Sequence, residues 1–465
     1  MLDSQIEDPD NCEQCVVFNE FKHFDEFCQI LDEIEPAVLD LRKEEKLQEK
    51  LTFIFSLYQE QPHLLDPFLP EMLSKCIQLA NQFSTNRNGQ HFVFKVIHLM
   101  AKTRGYKSLV RLMPHTVDDL EPVFDLLSTQ DCTDKQNWQT RYVLLLWLSI
   151  VVMVPFGLSR LEKLGKPPLI ARILKEAKRH VVLDEVTQEA AAYLIAKFIS
   201  RPDVHPTELG SFIAWAANEL ASADYGSHHG QMHVAGCLRA LANICKIVSR
   251  DVLVPHASKL LKITLDLPDV SQTILLYRLR TKLIQRIGLI FCPRRAAAAR
   301  WRYQRGFRSL ADNLNSRLPL GDTLLKNGTN NSIEPTETTN DDGAQSYLTS
   351  KPKYVDADEE EKREEEEEEE EEFDVPEEVA EVIPVVLTAL FYDEKSGDCN
   401  YGSNVRDAAC YCCWAFARAY KASDFAPHVE VVSRKLILSA LFDRELNVRR
   451  AAAAAFQENA GRQVG

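Results

Sequence analysis

The sequence predicts an all-α fold, an α-solenoid of stacked helix pairs, and three observations carry that prediction. Apolar residues recur at helical spacing through most of the 465 residues, without a convincing series of alternating strands and hairpin turns. The segments are joined by short connections that carry Pro, Gly, Asp or Asn. A motif also occurs twice near the end, Asn404-Val405-Arg406-Asp407-Ala408-Ala409 and Asn447-Val448-Arg449-Arg450-Ala451-Ala452, the copies 43 residues apart. A polar residue, Val-Arg and an Ala-rich run recurring at about 40 to 47 residues is the pattern of a HEAT-type helical repeat. Such repeats pack chiefly on their neighbours and build extended scaffolds.

Taken in order, helical periodicity predicts one helix each over residues 20–34, 39–59, 71–83, 91–103, 138–154, 169–180, 187–199, 208–221, 233–248 and 258–265. The uncharged apolar stretch 142–158 contains Pro155 and Gly157 and is short for a membrane span, so it reads as a buried core helix. Pro62-His63, Pro114-His115, Pro255-His256, Pro384-Val385 and Pro427-His428 each read as the opening of an apolar helix, because proline suits the first turn. Pro384 and Pro427 repeat the 43-residue interval, whereas Ala389-Leu390-Phe391 and Ala440-Leu441-Phe442 are 51 apart. The connection 393–403 is therefore longer than its later counterpart.

Charge divides the chain further. Between Asp341 and Glu378 stand 19 acidic and four basic residues, including the unbroken glutamate run 364–372, and this local charge of −15 equals that of the whole chain. Such a block repels itself and has no apolar surface to bury. The organisation read from this is a HEAT-like α-solenoid over 1–318, a disordered acidic linker over 319–375 and further HEAT-like repeats, cut short, over 376–465. The N-terminus is acidic, without the apolar run of a secretory signal, which places the chain in the cytosol with its 12 cysteines reduced.

No constellation supports an active site, and the catalytic, cofactor and metal sets are read as empty. Cys12-Glu13-Gln14-Cys15 has redox spacing but no βαβ surroundings. His228, His229 and His233 lack the glutamate of a zinc motif and read as an exposed loop-to-helix junction. Cys410, Cys412 and Cys413 do not converge on one point of a helix and read as core. In the first repeat helix Val405, Ala409, Cys412, Phe416 and Ala419 form an apolar stripe, with Asn404 as its N-cap and Asp407 in the first turn. Phosphate loops, dinucleotide fingerprints and nucleophile elbows are not found.

One constellation has a binding character. Residues 270–311 contain no Asp or Glu and carry Arg278, Arg280, Lys282, Arg286, Arg294, Arg295, Arg300, Arg302, Arg305 and Arg308, interleaved with Trp301, Tyr303 and Phe307. Phosphate contacts with stacking would suit a nucleic acid, but no nucleic-acid module accompanies the cluster. A basic solenoid face that meets an acidic protein, or the chain's own glutamates, is the preferred reading, and a plain solvated face stays open beside it. Arg294, Arg295, Arg300, Arg302, Arg305 and Arg308 are the candidate partner-binding residues. Asn404, Val405, Arg406, Asp407, Asn447, Val448 and Arg449 are the structural repeat signature.

Several stretches resemble the tubulin-folding cofactor D family of HEAT and armadillo-type chaperones. They are Arg104-Gly105-Tyr106-Lys107, Leu112-Met113-Pro114-His115, the run from Trp138 to Ser149, Trp301-Arg302-Tyr303-Gln304-Arg305-Gly306, Val375-Pro376-Glu377-Glu378-Val379, residues 401–420 and Phe456-Gln457-Glu458-Asn459. The resemblance implies a non-enzymatic chaperone that captures β-tubulin after the chaperonin and joins it to α-tubulin carried by cofactor E. With cofactor C such a protein stimulates GTP hydrolysis by tubulin, and it associates with an Arf-like small GTPase. It implies a cytoplasmic protein with cytoskeletal, centrosomal and cell-junction association, and no nucleic-acid partner. The family's chain continues for hundreds of residues, so this one, stopping at Gly465, is expected to be a fragment or short isoform. The alternatives are an adaptor that uses the basic block 278–308 to bind nucleic acid or an acidic protein, and a regulator of a small GTPase.

Overall fold

The computed structural model describes residues 18–37, 40–161, 167–183, 186–268, 273–292, 379–396 and 399–463. Helices dominate them in the order α1 (Phe24–Asp32), α2 (Ile34–Ala37), α3 (Leu41–Ser56), α4 (Leu69–Gln82), α5 (Arg87–Arg104), α6 (Tyr106–Val110), α7 (Leu120–Ser128), α8 (Trp138–Val151) and α9 (Leu169–Leu183). Then follow α10 (Gln188–Ile199), α11 (His205–Ser222), α12 (His228–Ile247), α13 (Arg250–Leu265), α14 (Ile274–Phe291) and α15 (Val379–Ala389). A two-stranded antiparallel hairpin, β1 (Glu394–Ser396) and β2 (Cys399–Tyr401), pairs Glu394 with Tyr401. The last helices are α16 (Ser403–Ala419), α17 (Ala422–Phe442) and α18 (Leu446–Gln463). Each segment expected from periodicity contains helix, the one over 20–34 being divided into α1 and α2; α6 and α14 fall in none of those segments, and α7 follows the helix opening read at Pro114-His115.

Two rows arise from these helices. In the first, α3, α5, α8, α10, α12, α14, α16 and α18 pack in succession, each on the next. In the second, α4, α7, α9, α11, α13, α15 and α17 each pack on the first-row helix that follows them in sequence. This is the all-α solenoid of HEAT and armadillo type. The described helices belong to one compact unit drawn from Met1–Cys292 and Glu377–Gly465. The segment expected to be a linker, 319–375, lies outside the described residues.

The stacking interval is visible in contacts between layers. Arg286 donates to the Ala242 carbonyl 44 residues back. Gln188 donates to Met232 O, again 44 residues away, and Asn459 to Cys413 O at 46. The Arg201 guanidinium reaches back 49 and 47 residues to Val152 O and Val154 O, at 2.6 and 2.8 Å. Each of these side chains supplies a donor to a carbonyl of an adjacent layer, so the layers are joined by polar contacts as well as by apolar burial.

The core sits between the rows. Helix α8 buries Val143, Leu144, Leu145, Leu146 and Leu148 completely, as expected of a core helix. Close approach of α12 to the end of α9 depends on Gly236, where an added Cβ would lie 2.1 Å from the Val181 carbonyl oxygen.

The prolines behave differently from the expectation. Pro62 does open a short 3-10 turn, but Pro114 lies in a connection, and Pro255, Pro384 and Pro427 lie inside α13, α15 and α17. Each of these three is the sixth residue of its helix. A proline there costs the hydrogen bond to the residue four positions back, which still belongs to the first turn, so the helix is not broken. The turn before each proline carries apolar residues of its own, such as Val382 and Ile383 in α15 and Leu253 in α13, so proline's preference for a first turn sets the helix start one turn too late.

Candidate functional site

The repeat signature occupies equivalent places. Asn404 and Asn447 are each the second residue of their helix, α16 and α18, and both are exposed, while Val405 and Val448 are buried. Asn404 is therefore not the N-cap. Gly402 holds that position at φ +141, where an added Cβ would meet the Tyr392 carbonyl oxygen at 2.7 Å. The backbone conformation selects glycine, and the helix start carries no side-chain cap bond. The extra length expected of 393–403 is accounted for by the strand pair β1–β2, which precedes this glycine.

The two signature arginines differ in what they do. Arg406 is 5 % exposed and forks onto Asp443, Nε to Oδ2 at 2.7 Å and Nη2 to Oδ1 at 3.1 Å. Its Nη1 donates to Tyr392 O at 2.9 Å, so one guanidinium joins the hairpin's base to the α17–α18 turn. Arg449 is half-buried and donates to two backbone carbonyls of that same turn, Asp443 O at 2.7 Å and Arg444 O at 3.0 Å. Both bond to the α17–α18 turn, Arg406 through the Asp443 carboxylate and Arg449 through backbone carbonyls.

Val405, Ala409, Cys412 and Phe416 are buried as one stripe, with Ala419 partly so. Cys410 and Cys413 are buried too; burial pushes the Cys410 thiol up to about 12 and raises those of Cys412 and Cys413 as well. Such thiols stay protonated and act as small apolar groups. Cys12 and Cys15 lie outside the described residues. His228 and His229 are exposed at the start of α12, and His233, one turn on, lies 3.0 Å from Glu219 Oε2.

Among the described residues one group could be weighed as a metal ligand set, Cys132, Glu176 and His180. Cys132 Sγ lies 3.8 Å from both ring nitrogens of His180, so it is on the lone-pair axis of neither. Thr187 Oγ1 stands 3.3 Å from Nδ1 and Glu176 Oε1 3.4 Å from Nε2. That arrangement serves a packed imidazole better than an ion, which needs donors converging along their lone pairs.

Arg294, Arg295, Arg300, Arg302, Arg305 and Arg308 lie outside the described residues. The described part of the basic block is on α14, and the structure divides it. Arg280 is spent on the carbonyls of Thr264 and Leu265 at the end of α13. Lys282 and Arg286 instead line a groove of about 810 Å³ between α12, α13, α14, α16 and α18. Lys246 from α12 and Arg250 from α13 line it as well, and Asp407 of the signature is its acidic member. Ala451 and Ala454 of α18 form a shallow wall, and Tyr411 and Trp414 of α16, stacked 5.5 Å apart, form an aromatic one. Burial lowers Lys246, with Lys107 and Arg286 adding to the effect; burial also lowers Lys282, with Arg278 and Arg286 adding. The groove thus gathers more positive charge than its own carboxylate offsets. Sequence reading found α14 by its lack of acidic residues, but missed Lys246, Arg250 and Tyr411, which reach the site only through layer stacking.

The chain matches the family described as tubulin-specific chaperone D-like, ARM repeat, over residues 55–220, and the family described as tubulin-specific chaperone D-like, ARM repeats, over residues 373–465. It is 24% identical to the tubulin-specific chaperone D of Dictyostelium discoideum over 90% of this chain and 39% of that protein. It is 23% identical to the tubulin-folding cofactor D of Schizosaccharomyces pombe over 99% of this chain and 44% of that protein. The chain therefore spans about two fifths of the length of these relatives. A crystal structure of a Kap121p mutant aligns with 94% of this chain and 34% of its own at TM-score 0.43 and 12% identity. Among the described residues no helix is long and apolar enough to cross a membrane.

Proposed function

The chain belongs to the tubulin-specific chaperone D-like family, and from that membership we propose that it is a non-enzymatic tubulin-folding cofactor that holds β-tubulin against its solenoid. The observation that carries the proposal is the row of first-row helices from α3 to α18, each packed on the next. Such a row presents a long surface built from many separate layers, which suits a large, incompletely folded client better than a small-molecule pocket would. Further finer proposals are assembly of the α/β heterodimer with other cofactors such as C and E, stimulation of tubulin GTP hydrolysis in their company, contact with an Arf-like small GTPase, and residence in the cytoplasm.

The test is a pull-down of purified β-tubulin by the full chain. Retention at about micromolar concentration, on the scale of an ordinary protein interface, with no nucleotide hydrolysis by the chain alone, supports the proposal. Failure to retain β-tubulin at that concentration counts against it. Acceleration of GTP hydrolysis by an isolated small GTPase, with no tubulin present, would favour a GTPase regulator instead.

A further inference from the structure

The groove between α12, α14 and α16 holds cations that the described protein does not use up. Among the described residues no ion pair is found for Lys246, Lys282 or Arg286, and Asp407, the sole acidic residue of the lining, acts on Lys282 alone of the three. Arg286 is anchored from behind by its bond to the Ala242 carbonyl, so its charge is fixed rather than free to swing into solvent. The structure keeps like charges close in a partly desolvated place. An arrangement of this kind loses free energy through mutual repulsion and regains it when an anion enters.

We propose that this groove binds an acidic peptide segment of a partner protein, with carboxylates on Lys246, Lys282 and Arg286 and an apolar side chain against Tyr411. The mixed lining carries the choice of occupant. Leu289 and Ile290 of α14 and the alanines of α18 give the groove apolar walls, which suit a peptide side chain. Tyr411 is 56% exposed, an available apolar surface beside the cations. A nucleic acid fits less well. Its phosphates call for cations spread along a track, whereas these converge on one layer interval beside a carboxylate. The inference goes beyond the tubulin reading and does not depend on it.

The experiment is fluorescence anisotropy of the full chain with a fluorescein-labelled Glu-Glu-Phe-Glu-Glu peptide, beside an all-Glu peptide of the same length and an oligouridylate. The expected result is saturable binding of the Phe-containing peptide that weakens about tenfold in Lys246→Gln/Lys282→Gln and is retained in Lys246→Arg/Lys282→Arg, as a site made of close charge pairs requires. Tyr411→Ala should weaken the Phe-containing peptide and leave the all-Glu peptide unchanged. Unchanged thermal melting of the variants assigns the loss to the groove. No saturable peptide binding, or binding indifferent to the Gln pair, overturns the proposal. Oligouridylate binding as tight as the peptide's and lost in the same variants overturns it in favour of a phosphate site.

Discussion

Replacing Arg406 by Ala should cost the C-terminal helices far more than replacing Arg449, although the two residues are spelled alike in the repeat. The Asp443 side chain is 6% exposed, and its carboxylate receives two of the bonds that Arg406 makes. Arg406→Ala leaves that carboxylate buried without its counter-ion and also strips Tyr392 O of a donor. Breaking a buried pair in this one-sided way costs about 3–5 kcal/mol. Arg449→Ala removes bonds to two carbonyls of a half-exposed turn, for which about 1–2 kcal/mol is the corresponding scale. Repeat arrays open layer by layer, so the readout is native-state hydrogen exchange of the α16–α18 amides, supported by urea unfolding. A double-mutant cycle with Asp443→Asn isolates the pair, and a coupling of at least about 1.5 kcal/mol is expected. A cost below about 1 kcal/mol for Arg406→Ala, or additive effects in the cycle, would refute the reasoning.

Other expectations follow from the same geometry. Gly402→Ala forces a side chain into φ +141 and towards the Tyr392 oxygen, and should lower the urea midpoint by the equivalent of about 1–3 kcal/mol. Gly236→Ala places a Cβ 2.1 Å from Val181 O, so α9 and α12 must separate, with a loss of about 1–3 kcal/mol in the same assay. Burial lowers His98 to about 4, with Lys102 adding to it, so between pH 6.5 and 4 the unfolded chain takes up the proton that the folded one refuses. Stability should therefore fall as pH drops through that window, by up to about 3 kcal/mol, and His98→Gln should flatten the fall in urea titrations at successive pH values. Arg201→Lys keeps the charge but loses the fork that serves Val152, Val154, Phe156 and Asp203, and a loss of about 2–4 kcal/mol in thermal or urea melts is expected.

Much of the fold was legible because helical periodicity is local. The helices α3, α5, α8, α10 and α12 could be drawn from apolar spacing, and the 43-residue interval of the Asn-Val-Arg motif foreshadowed contacts that span 44 to 49 residues. Misplacement of Pro255, Pro384 and Pro427 by a turn shows where local reading stops. Proline is tolerated at the sixth residue as well as in the first turn, so its place in the chain does not by itself mark where a helix begins. The same limit explains Asn404, whose residue type favours a cap while the cap falls on Gly402.

The candidate groove was half legible. A run without acidic residues singled out α14, but whether a given cation is spent or open depends on what the next layer brings to it. Arg280 meets helix-end carbonyls, while Lys282, two residues on, faces a groove. The sequence by itself determined most of the helices, their repeat interval and the family, because these are written in spacing and in motif. Only the tertiary structure decided that Arg406 is a buried tie, that Arg449 is a half-exposed clasp, and that Lys246 joins Lys282 and Arg286. Those outcomes depend on desolvation and, for Arg406 and Arg286, on partners more than 30 residues away, which one-dimensional spacing does not encode.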